Sequence, residues 1–219
     1  MISHFLNMKE RRLTDEILDS LPSDDPEALR SRHDLKFINF LMRNPNWIRA
    51  CHKKFEEIDR VTELGAGDGS LLNSIYEEGY EVSGIDLQPK PKGLSSEIQW
   101  IQGNVCHQDP SEFSHTNIAV LFLHHLNESQ LKVLGEKLRG GKFLFIVEPH
   151  RSLLSILQAY ILIPFVNRVT RHDMIVSIKA GFKKGELPFL LGLDTDVNWS
   201  YSEQITLLGS YRLSARRIK

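Results

Sequence analysis

Between residues 60 and 148, short apolar runs alternate with amphipathic stretches, and this alternation constrains the fold more than any other feature of the sequence. The predicted strands span residues 60–63, 81–86, 98–102, 118–123 and 142–148. Helices are predicted between most of these strands, notably at 70–78 and 128–139. Such alternation is typical of an α/β protein in which right-handed crossovers place helices on both faces of a parallel sheet. We therefore predict a Rossmann-like, doubly wound and mostly parallel sheet, whose ligand binds at the carboxyl ends of the strands.

The segments that flank this core have different patterns. Residues 1–58 have helical periodicity and predict an N-terminal helical cap, in which a helix begins at Asp25. One face of an earlier predicted helix carries Leu13, Ile17, Leu18 and Leu21. At the other end, two extended segments separated by residues 207–210 predict an antiparallel hairpin. The 219 residues are expected to form one structural domain, with the cap at 1–58 and the core at 59–219.

An uncharged, apolar run occupies residues 152–167. A membrane-spanning helix needs about 20 predominantly apolar residues. This run is shorter and contains Gln158 and Pro164, so we predict a buried helix and no membrane span. Together with the residues after it, the run forms an insert at about 150–192 that is long enough to be a helical lid over the site.

The first predicted strand leads into a glycine-rich turn, VTELGAGDGSLL, which opens a helix. Its glycines, Gly65, Gly67 and Gly69, form G-x-G-x-G, whereas the dinucleotide fingerprint is G-x-G-x-x-G. A turn of this kind suits either the pyrophosphate of a dinucleotide or an adenosyl ligand that has no phosphate. Asp86, at the end of the second strand, suits both ligands, because each has a ribose whose hydroxyl groups need an acceptor.

Two acidic residues beside the turn favour the ligand without phosphate. Glu63 ends the strand, and Asp68 lies within the turn. Their carboxylates would repel a pyrophosphate at close range. They suit a ligand that carries an ammonium and a sulfonium group.

Five motifs in order make the chain similar to a known family. ELGAGDG and GIDLQPK resemble the first two motifs of class I S-adenosylmethionine-dependent methyltransferases, and IQGNV, LFLHHL and GGKFLFIVEP follow at family spacing. This resemblance covers residues 60–149. Two flanking stretches, RSRHDLKFINFLM and TRHDMIVSIKAGF, resemble the small-molecule subgroup. The resemblance implies S-adenosylmethionine as the cofactor and methylation, at oxygen, of a small acceptor of the secondary-metabolite or quinone type. The apolar run in the insert favours an acceptor that is largely apolar.

The resemblance also implies which residues hold the cofactor. They are Glu63, Gly65, Ala66, Gly67, Asp86, Leu87, Asn104, Val105 and Leu123. In the family pattern Glu63 holds the amino end, and Asp86 binds both ribose hydroxyl groups. Leu87 packs on the adenine. Asn104 stands where many relatives have an aspartate that binds the adenine amino group, and Val105 offers its backbone N–H to a ring nitrogen.

Three histidines are candidates for a catalytic base, because an imidazole with a pKa near 6.5 can take a proton from a substrate hydroxyl group at neutral pH. His124 and His125 follow the fourth strand, and His172 lies in the insert. The alternative for each is a structural role, such as packing against the cofactor, helix capping or hydrogen bonding. No dyad of His172 with Asp173 is expected, since adjacent residues on a helix point apart.

Two further charged residues lie near the end of the fifth predicted strand: Glu148 ends the strand, and Arg151 follows it. Glu148 either shapes the acceptor pocket or caps the loop. Arg151 either binds an anionic group or is a helix-end or surface charge, and the second interpretation is favoured narrowly.

The composition limits the kinds of binding partner that we expect. The net charge of −1 and the lack of a long basic block disfavour nucleic acid, so the predicted partner is a small-molecule acceptor. The two cysteines, Cys51 and Cys106, have neither metal-site nor redox-pair spacing, so we expect no metal site and a reducing compartment. The run MISHFLNMKERR lacks the apolar core of a signal peptide, and a cytoplasmic location follows as an expectation.

Two alternatives to the methyltransferase remain at this stage. A nicotinamide-dependent oxidoreductase shares the plan of strand, glycine turn, helix and ribose-binding acid. A catalytically inactive subunit with a methyltransferase-like fold would keep the same motifs and bind cofactor without transferring a methyl group. The oligomeric state is not indicated by the sequence.

Overall fold

The fold is built on one seven-stranded sheet, seen in a computed structural model that describes residues 8–22, 24–55, 58 and 60–218. The strands are β1 (Arg60–Leu64), β2 (Glu81–Asp86), β3 (Gln99–Gln102), β4 (Thr116–Val120), β5 (Phe143–Pro149), β6 (Trp199–Ile205) and β7 (Ser210–Arg217). Their order in the sheet is β3-β2-β1-β4-β5-β7-β6. The first five strands are parallel, and β7 is antiparallel to both β5 and β6. The predicted doubly wound sheet and terminal hairpin are confirmed.

The order of the strands determines where a ligand can lie. β1 pairs with β2 on one side and with β4 on the other, so the chain changes direction across the sheet at β1. In open α/β sheets the crevice for ligands lies outside the carboxyl ends of the strands at such a point. The turns that follow β1 and β4 therefore border the expected site.

Eight α-helices surround the sheet in the described part of the chain. They are α1 (Ile17–Ser20), α2 (Pro26–Leu41), α3 (Asn44–Lys53), α4 (Ser70–Glu77), α5 (Glu128–Leu138), α6 (Leu153–Leu162), α7 (Arg168–Ala180) and α8 (Glu186–Leu190). Two hydrophobic clusters hold the helices on the sheet, one containing α5 and α8 with the inner face of β7, the other α3 and α4. The helices predicted at 70–78 and 128–139 are confirmed, and α5 begins with a capping box formed by Asn127 and Gln130.

The N-terminal cap differs in part from its prediction. Asp25 caps α2 as predicted, because its Oδ1 accepts the backbone N–H groups of Glu27 and Ala28. The predicted helix with Leu13 on its apolar face is wrong, since only Ile17–Ser20 is helical there. Residues 11–16 have no regular secondary structure, because they bond to other parts of the fold. The backbone N–H of Arg12, for example, donates to the carbonyl of Lys179 at 3.1 Å.

The apolar run at 152–167 forms α6, but the helix is not buried as predicted. Leu154, Leu157 and Ile161 are 56%, 58% and 63% exposed. The run is apolar on all sides, so its pattern could not show which face would be covered. Among the described residues, no helix has both the length and the apolar character that a membrane span requires.

Candidate functional site

The turn after β1 has the left-handed backbone that glycine permits. Gly65, Gly67 and Gly69 have φ of 66°, 55° and 69°. A Cβ at Gly65 would lie 2.2 Å from the ring of Phe122, whereas a Cβ at Gly67 would meet no described atom within 4 Å. Gly65 therefore allows the β4 segment to pack against the turn, and Gly67 borders open space at the carboxyl edge of the sheet.

Glu63 lies beneath this turn as a buried acid without a full set of partners. The residue is 4% exposed, and its Oε2 has no hydrogen-bond partner among the described residues. Burial, followed by the charges of Asp68 and Asp86, raises the pKa of Glu63 well above its usual value, and a hydrogen bond from the Leu72 backbone opposes this only in part. A buried carboxylate with an unpaired oxygen is costly unless a cation or donor binds it.

The other two acids beside the turn already have partners. Asp86 ends β2, and its two oxygens accept the backbone N–H groups of Gly67 and Gln88, both at 2.8 Å. Asp68 forms an ion pair with Lys36 of α2 at 2.6 Å. That partner weakens the expected repulsion between Asp68 and a pyrophosphate, so the electrostatic argument for the ligand depends mainly on Glu63.

The predicted adenine contacts lie after β2 and β3. Leu87 is 65% exposed, so its side chain offers apolar surface on which a ligand can pack. Asn104 caps a short 3-10 turn, since its Oδ1 accepts the backbone N–H of Cys106 at 2.9 Å. The same oxygen was expected to bind the adenine amino group, and it can do so only with its second lone pair. Val105 is buried at the start of that turn, so its side chain offers the ligand little surface.

Glu148, the residue before the last of β5, organises the turn after β4. Its Oε1 accepts the backbone N–H groups of Phe122 and Leu123 at 3.1 and 2.6 Å, and its Oε2 accepts that of His124 at 3.3 Å. The interpretation of Glu148 as a loop cap therefore describes its contacts. β4 ends at Val120, earlier than the predicted 123, because the chain turns here to reach this carboxylate.

Leu123, which is predicted to bind the cofactor, has its side chain in the hydrophobic core. Its side chain is fully buried in the core, and its N–H is held by Glu148. The geometry thus gives no support to a side-chain contact between Leu123 and the cofactor. Leu123 instead anchors the segment that carries the two histidines.

His124 is buried between two carboxylates. Its Nδ1 lies 2.7 Å from Glu148 Oε2, and its Nε2 lies 3.3 Å from Glu16 Oε1. Burial alone would lower the pKa of His124, but Glu148 and Glu16 outweigh it and raise the pKa to about 9. The two carboxylates favour the doubly protonated ring, which is a poor base, and the role of His124 as a general base stays a prediction.

His125 stands beside His124 and faces a cleft of about 190 Å³. The two rings have their centroids 4.1 Å apart. The cleft is lined by Leu13, Thr14, Asp15, Glu16, Asp19, His124, His125, Val176 and Ala180. His125 Nδ1 lies 2.9 Å from the carbonyl oxygen of Phe122, which only accepts, so Nδ1 carries a proton. Burial lowers the pKa of His125, but Glu16, whose Oε2 lies 3.5 Å from Nε2, outweighs it and raises the pKa. The cleft therefore combines apolar walls with two imidazoles and carboxylate acceptors.

His172 does not line this cleft. It is one turn before Val176 on the same face of α7, and its side chain is 44% exposed. The expectation that it would not pair with its neighbour is wrong, since Nδ1 lies 2.8 Å from Asp173 Oδ1. Asp173 also caps α1 through the N–H groups of Ile17 and Leu18. A structural role for His172 fits these contacts.

Two residues near the site were not recognised, or not correctly interpreted, from the sequence. Glu16 belongs to a segment without secondary structure and reaches a histidine 108 positions away, so no local pattern could indicate it. Arg151 is 1% exposed and donates to the carbonyls of Met8 and Gly181 and to Glu186. It is a buried clamp between the N-terminal segment and the core, so its interpretation as a surface charge is wrong.

The strand order and the glycine turn after β1 together define the fold as that of the class I S-adenosylmethionine-dependent methyltransferases. The chain is similar to the plantazolicin methyltransferase BpumL, crystallised with a pentazolic desmethyl-plantazolicin analogue and S-adenosylhomocysteine (TM-score 0.70, 12% identity, 89% of this chain and 92% of that one). It is also similar to human N-acetylserotonin methyltransferase in complex with S-adenosylmethionine (TM-score 0.59, 16% identity, 92% of this chain and 61% of that one). A third similar structure is the methyltransferase domain of a bacterial Hen1 (TM-score 0.58, 14% identity, 82% and 99%). No family model matches the sequence, and no curated protein is significantly similar to it.

Proposed function

We propose that the protein is a methyltransferase that binds S-adenosylmethionine at the glycine turn and methylates an oxygen atom of a small, largely apolar acceptor. The observation that carries the proposal is the unpartnered, buried oxygen of Glu63 beneath a turn that has open space at Gly67. A ligand with an ammonium group satisfies that carboxylate, whereas a pyrophosphate would add negative charge beside it. The chain is similar in fold to crystal structures that contain S-adenosylmethionine or S-adenosylhomocysteine, and this similarity supports the same ligand.

The residues at the edge of the sheet have distinct tasks in this proposal. Glu63 holds the ammonium group, and the backbone from Gly65 to Gly67 lies against the methionine part. Asp86 accepts bonds from the ribose hydroxyl groups while it keeps the turn in place through Gly67 N–H. The cofactor supplies an electrophilic methyl group. Alignment of the acceptor oxygen with that group can lower the activation barrier by about 7–11 kcal/mol, so no strong base is needed.

The cleft beside His125 is the proposed acceptor site. Leu13, Val176 and Ala180 supply apolar surface, and Glu16 supplies a carboxylate. Acidic groups in the cleft disfavour an anionic acceptor, and they accept a hydrogen bond from a hydroxyl group, which orients its oxygen. These features support a neutral acceptor with one hydroxyl group on an apolar body.

Calorimetric titration with S-adenosylmethionine and S-adenosylhomocysteine tests the proposal. We expect binding of both ligands with a stoichiometry of one, and a mass-spectrometric screen of apolar hydroxyl compounds should find a product that has gained one methyl group. Absence of binding of either ligand at millimolar concentration would refute the cofactor assignment. Binding without transfer to any acceptor would favour the inactive-subunit alternative.

Replacing Gly67 with Ala should separate ligand binding from folding. Gly67 and Gly79 both have positive φ, and a Cβ at either meets no described atom within 4 Å. Both G67A and G79A should therefore lose about 1–2 kcal/mol of stability. Only G67A places a methyl group in the proposed cofactor site, and its affinity for S-adenosylmethionine should fall by roughly tenfold or more. Thermal unfolding and calorimetry measure the two effects, and equal affinities of the two variants would show that Gly67 does not face the ligand.

Replacing Asp86 with Ala should weaken binding of S-adenosylmethionine by about 2–4 kcal/mol, because the charge-assisted bonds to the ribose are lost. The loss of the bond from Gly67 N–H adds to the effect. The matched variant D86N keeps one side-chain acceptor and should bind with intermediate affinity. Calorimetry on both variants checks this, and an unchanged affinity of D86A would mean that the ribose lies elsewhere.

A nicotinamide-dependent oxidoreductase is the less favoured alternative. Such an enzyme would place a pyrophosphate beside Glu63, and burial of further negative charge there is unfavourable. Fluorescence titration with NADH tests it directly. A saturable signal at micromolar concentration would reverse the preference.

A further inference from the structure

We propose that Glu16, His124 and His125 form a binding site for a divalent transition-metal ion of the zinc type at the floor of the cleft. One ligand atom from each residue lies within 4.8 Å of the others. Two imidazole nitrogens and a carboxylate are ligands that such ions accept, and a fourth position would stay open toward the cleft. The ligands come from the N-terminal segment and the turn after β4, so only the fold brings them together.

The spacing of the ligand atoms fits a tetrahedral ion. Bonds of about 2.0–2.1 Å at tetrahedral angles place neighbouring ligand atoms roughly 3.4 Å apart. His124 Nε2 lies 3.3 Å from Glu16 Oε1, and His125 Nε2 lies 3.5 Å from Glu16 Oε2. Asp19 Oδ2 lies 3.8 Å from His125 Nε2 and is a candidate fourth ligand in place of water. The ion would lie between the two imidazoles and the Glu16 carboxylate.

Both imidazoles are oriented as metal ligands usually are. A metal-bound histidine donates its second ring N–H to a carboxylate or a backbone carbonyl, which fixes the tautomer and the ring. His124 Nδ1 lies 2.7 Å from Glu148 Oε2, and His125 Nδ1 lies 2.9 Å from the Phe122 carbonyl. Each Nε2 therefore faces Glu16. The hydroxyl group of Ser177 donates to Glu16 Oε1 and holds the carboxylate from the outer side.

Binding of the ion exchanges it for a proton and changes no oxidation state. The ion takes the place of the proton between His124 Nε2 and Glu16, which is released to solvent, while the other ring proton stays on His124 Nδ1 and is donated to Glu148. Exposure of the His125 side chain, at 31%, gives an ion access from the cleft. If the proposed methyl transfer is correct, the ion would bind the acceptor oxygen and promote loss of its proton. That role depends on the proposed function, whereas the metal site does not.

Metal titration of the full chain, freed of metal with a chelator, tests the site. Zn²⁺ should bind at one equivalent in competition with a chromophoric chelator, and Co²⁺ should give the intense visible absorption of a four-coordinate ion. The H125Q variant removes the accessible ligand and should bind Zn²⁺ roughly 100-fold more weakly or worse. The matched control is H115Q, because His115 is exposed and directly precedes β4 at the opposite end of that strand from the histidine pair. It should bind like the wild type.

Two results would overturn the site: failure of the wild type to bind Zn²⁺ more tightly than a control protein of similar charge, or equal binding by H125Q. Circular dichroism of H125Q establishes that the variant is folded. Calorimetry with S-adenosylmethionine on the metal-free protein is run in parallel. Cofactor binding without metal binding rejects the metal site alone, and metal binding without cofactor binding rejects the proposed function alone.

Discussion

The variant E148Q should lose about 3–5 kcal/mol of unfolding free energy, because it removes one partner of a buried ion pair and leaves the other charge in place. Glu148 is fully buried and accepts three backbone N–H groups in addition to His124 Nδ1. A glutamine keeps one acceptor oxygen, but its NH₂ group replaces the other oxygen and faces N–H groups that are also donors. The imidazolium of His124 then has only Glu16 as a counter-charge. Urea denaturation measures the loss.

The control for this prediction is E97Q, which makes the same chemical change at an exposed residue and should stay within about 0.5 kcal/mol of the wild type. A double-mutant cycle with H124Q tests the cause. If the ion pair is responsible, E148Q should cost much less in the H124Q background, with a coupling of about 0.5–3 kcal/mol. Additive losses would show that Glu148 stabilises the fold through the backbone N–H groups alone.

Local patterns were sufficient to predict most of the sheet and the glycine turn after β1. A strand, a glycine turn and an acid after the next strand are close in sequence, so Glu63, Gly67 and Asp86 could be placed before the structure was known. Their neighbours in space follow from parallel pairing of β1 and β2. The roles of these residues as cofactor ligands are predictions, which the variants G67A, D86A and E63Q test.

Features that depend on contacts between distant segments could not be predicted. Glu16 gains its importance from His124, and Arg151 is buried only because the N-terminal segment covers it. The end of β4 was placed too late, because apolar residues continue to 123 while Glu148 draws their N–H groups into a turn. The same limitation applies to α6, where a uniformly apolar helix does not reveal its covered side.

The variant E63Q should change affinity and stability in opposite directions. Loss of the charged partner of the ammonium group should weaken binding of S-adenosylmethionine by about 1.5–3 kcal/mol, or roughly 10- to 100-fold. The unliganded protein should become more stable, because a neutral amide replaces a buried acid whose Oε2 has no partner among the described residues. The control E81Q makes the same change at the exposed start of β2, at the opposite end of the sheet, and should alter neither quantity.

The raised pKa of Glu63 also predicts how pH affects the stability of the unliganded protein and its affinity for S-adenosylmethionine. This pKa is raised in the folded state, mainly by burial, so the unfolded chain ionises first as pH increases. The contribution of Glu63 to stability is complete below the usual value of 4.5 and is lost as pH rises through the folded-state pKa. Within that window the incoming ammonium group favours the ionised acid, so binding should release protons and strengthen as pH rises. Calorimetry in buffers of different ionisation enthalpy measures the release, and E63Q should abolish it. Equal proton release by E63Q and wild type would mean that the cation does not bind at this carboxylate.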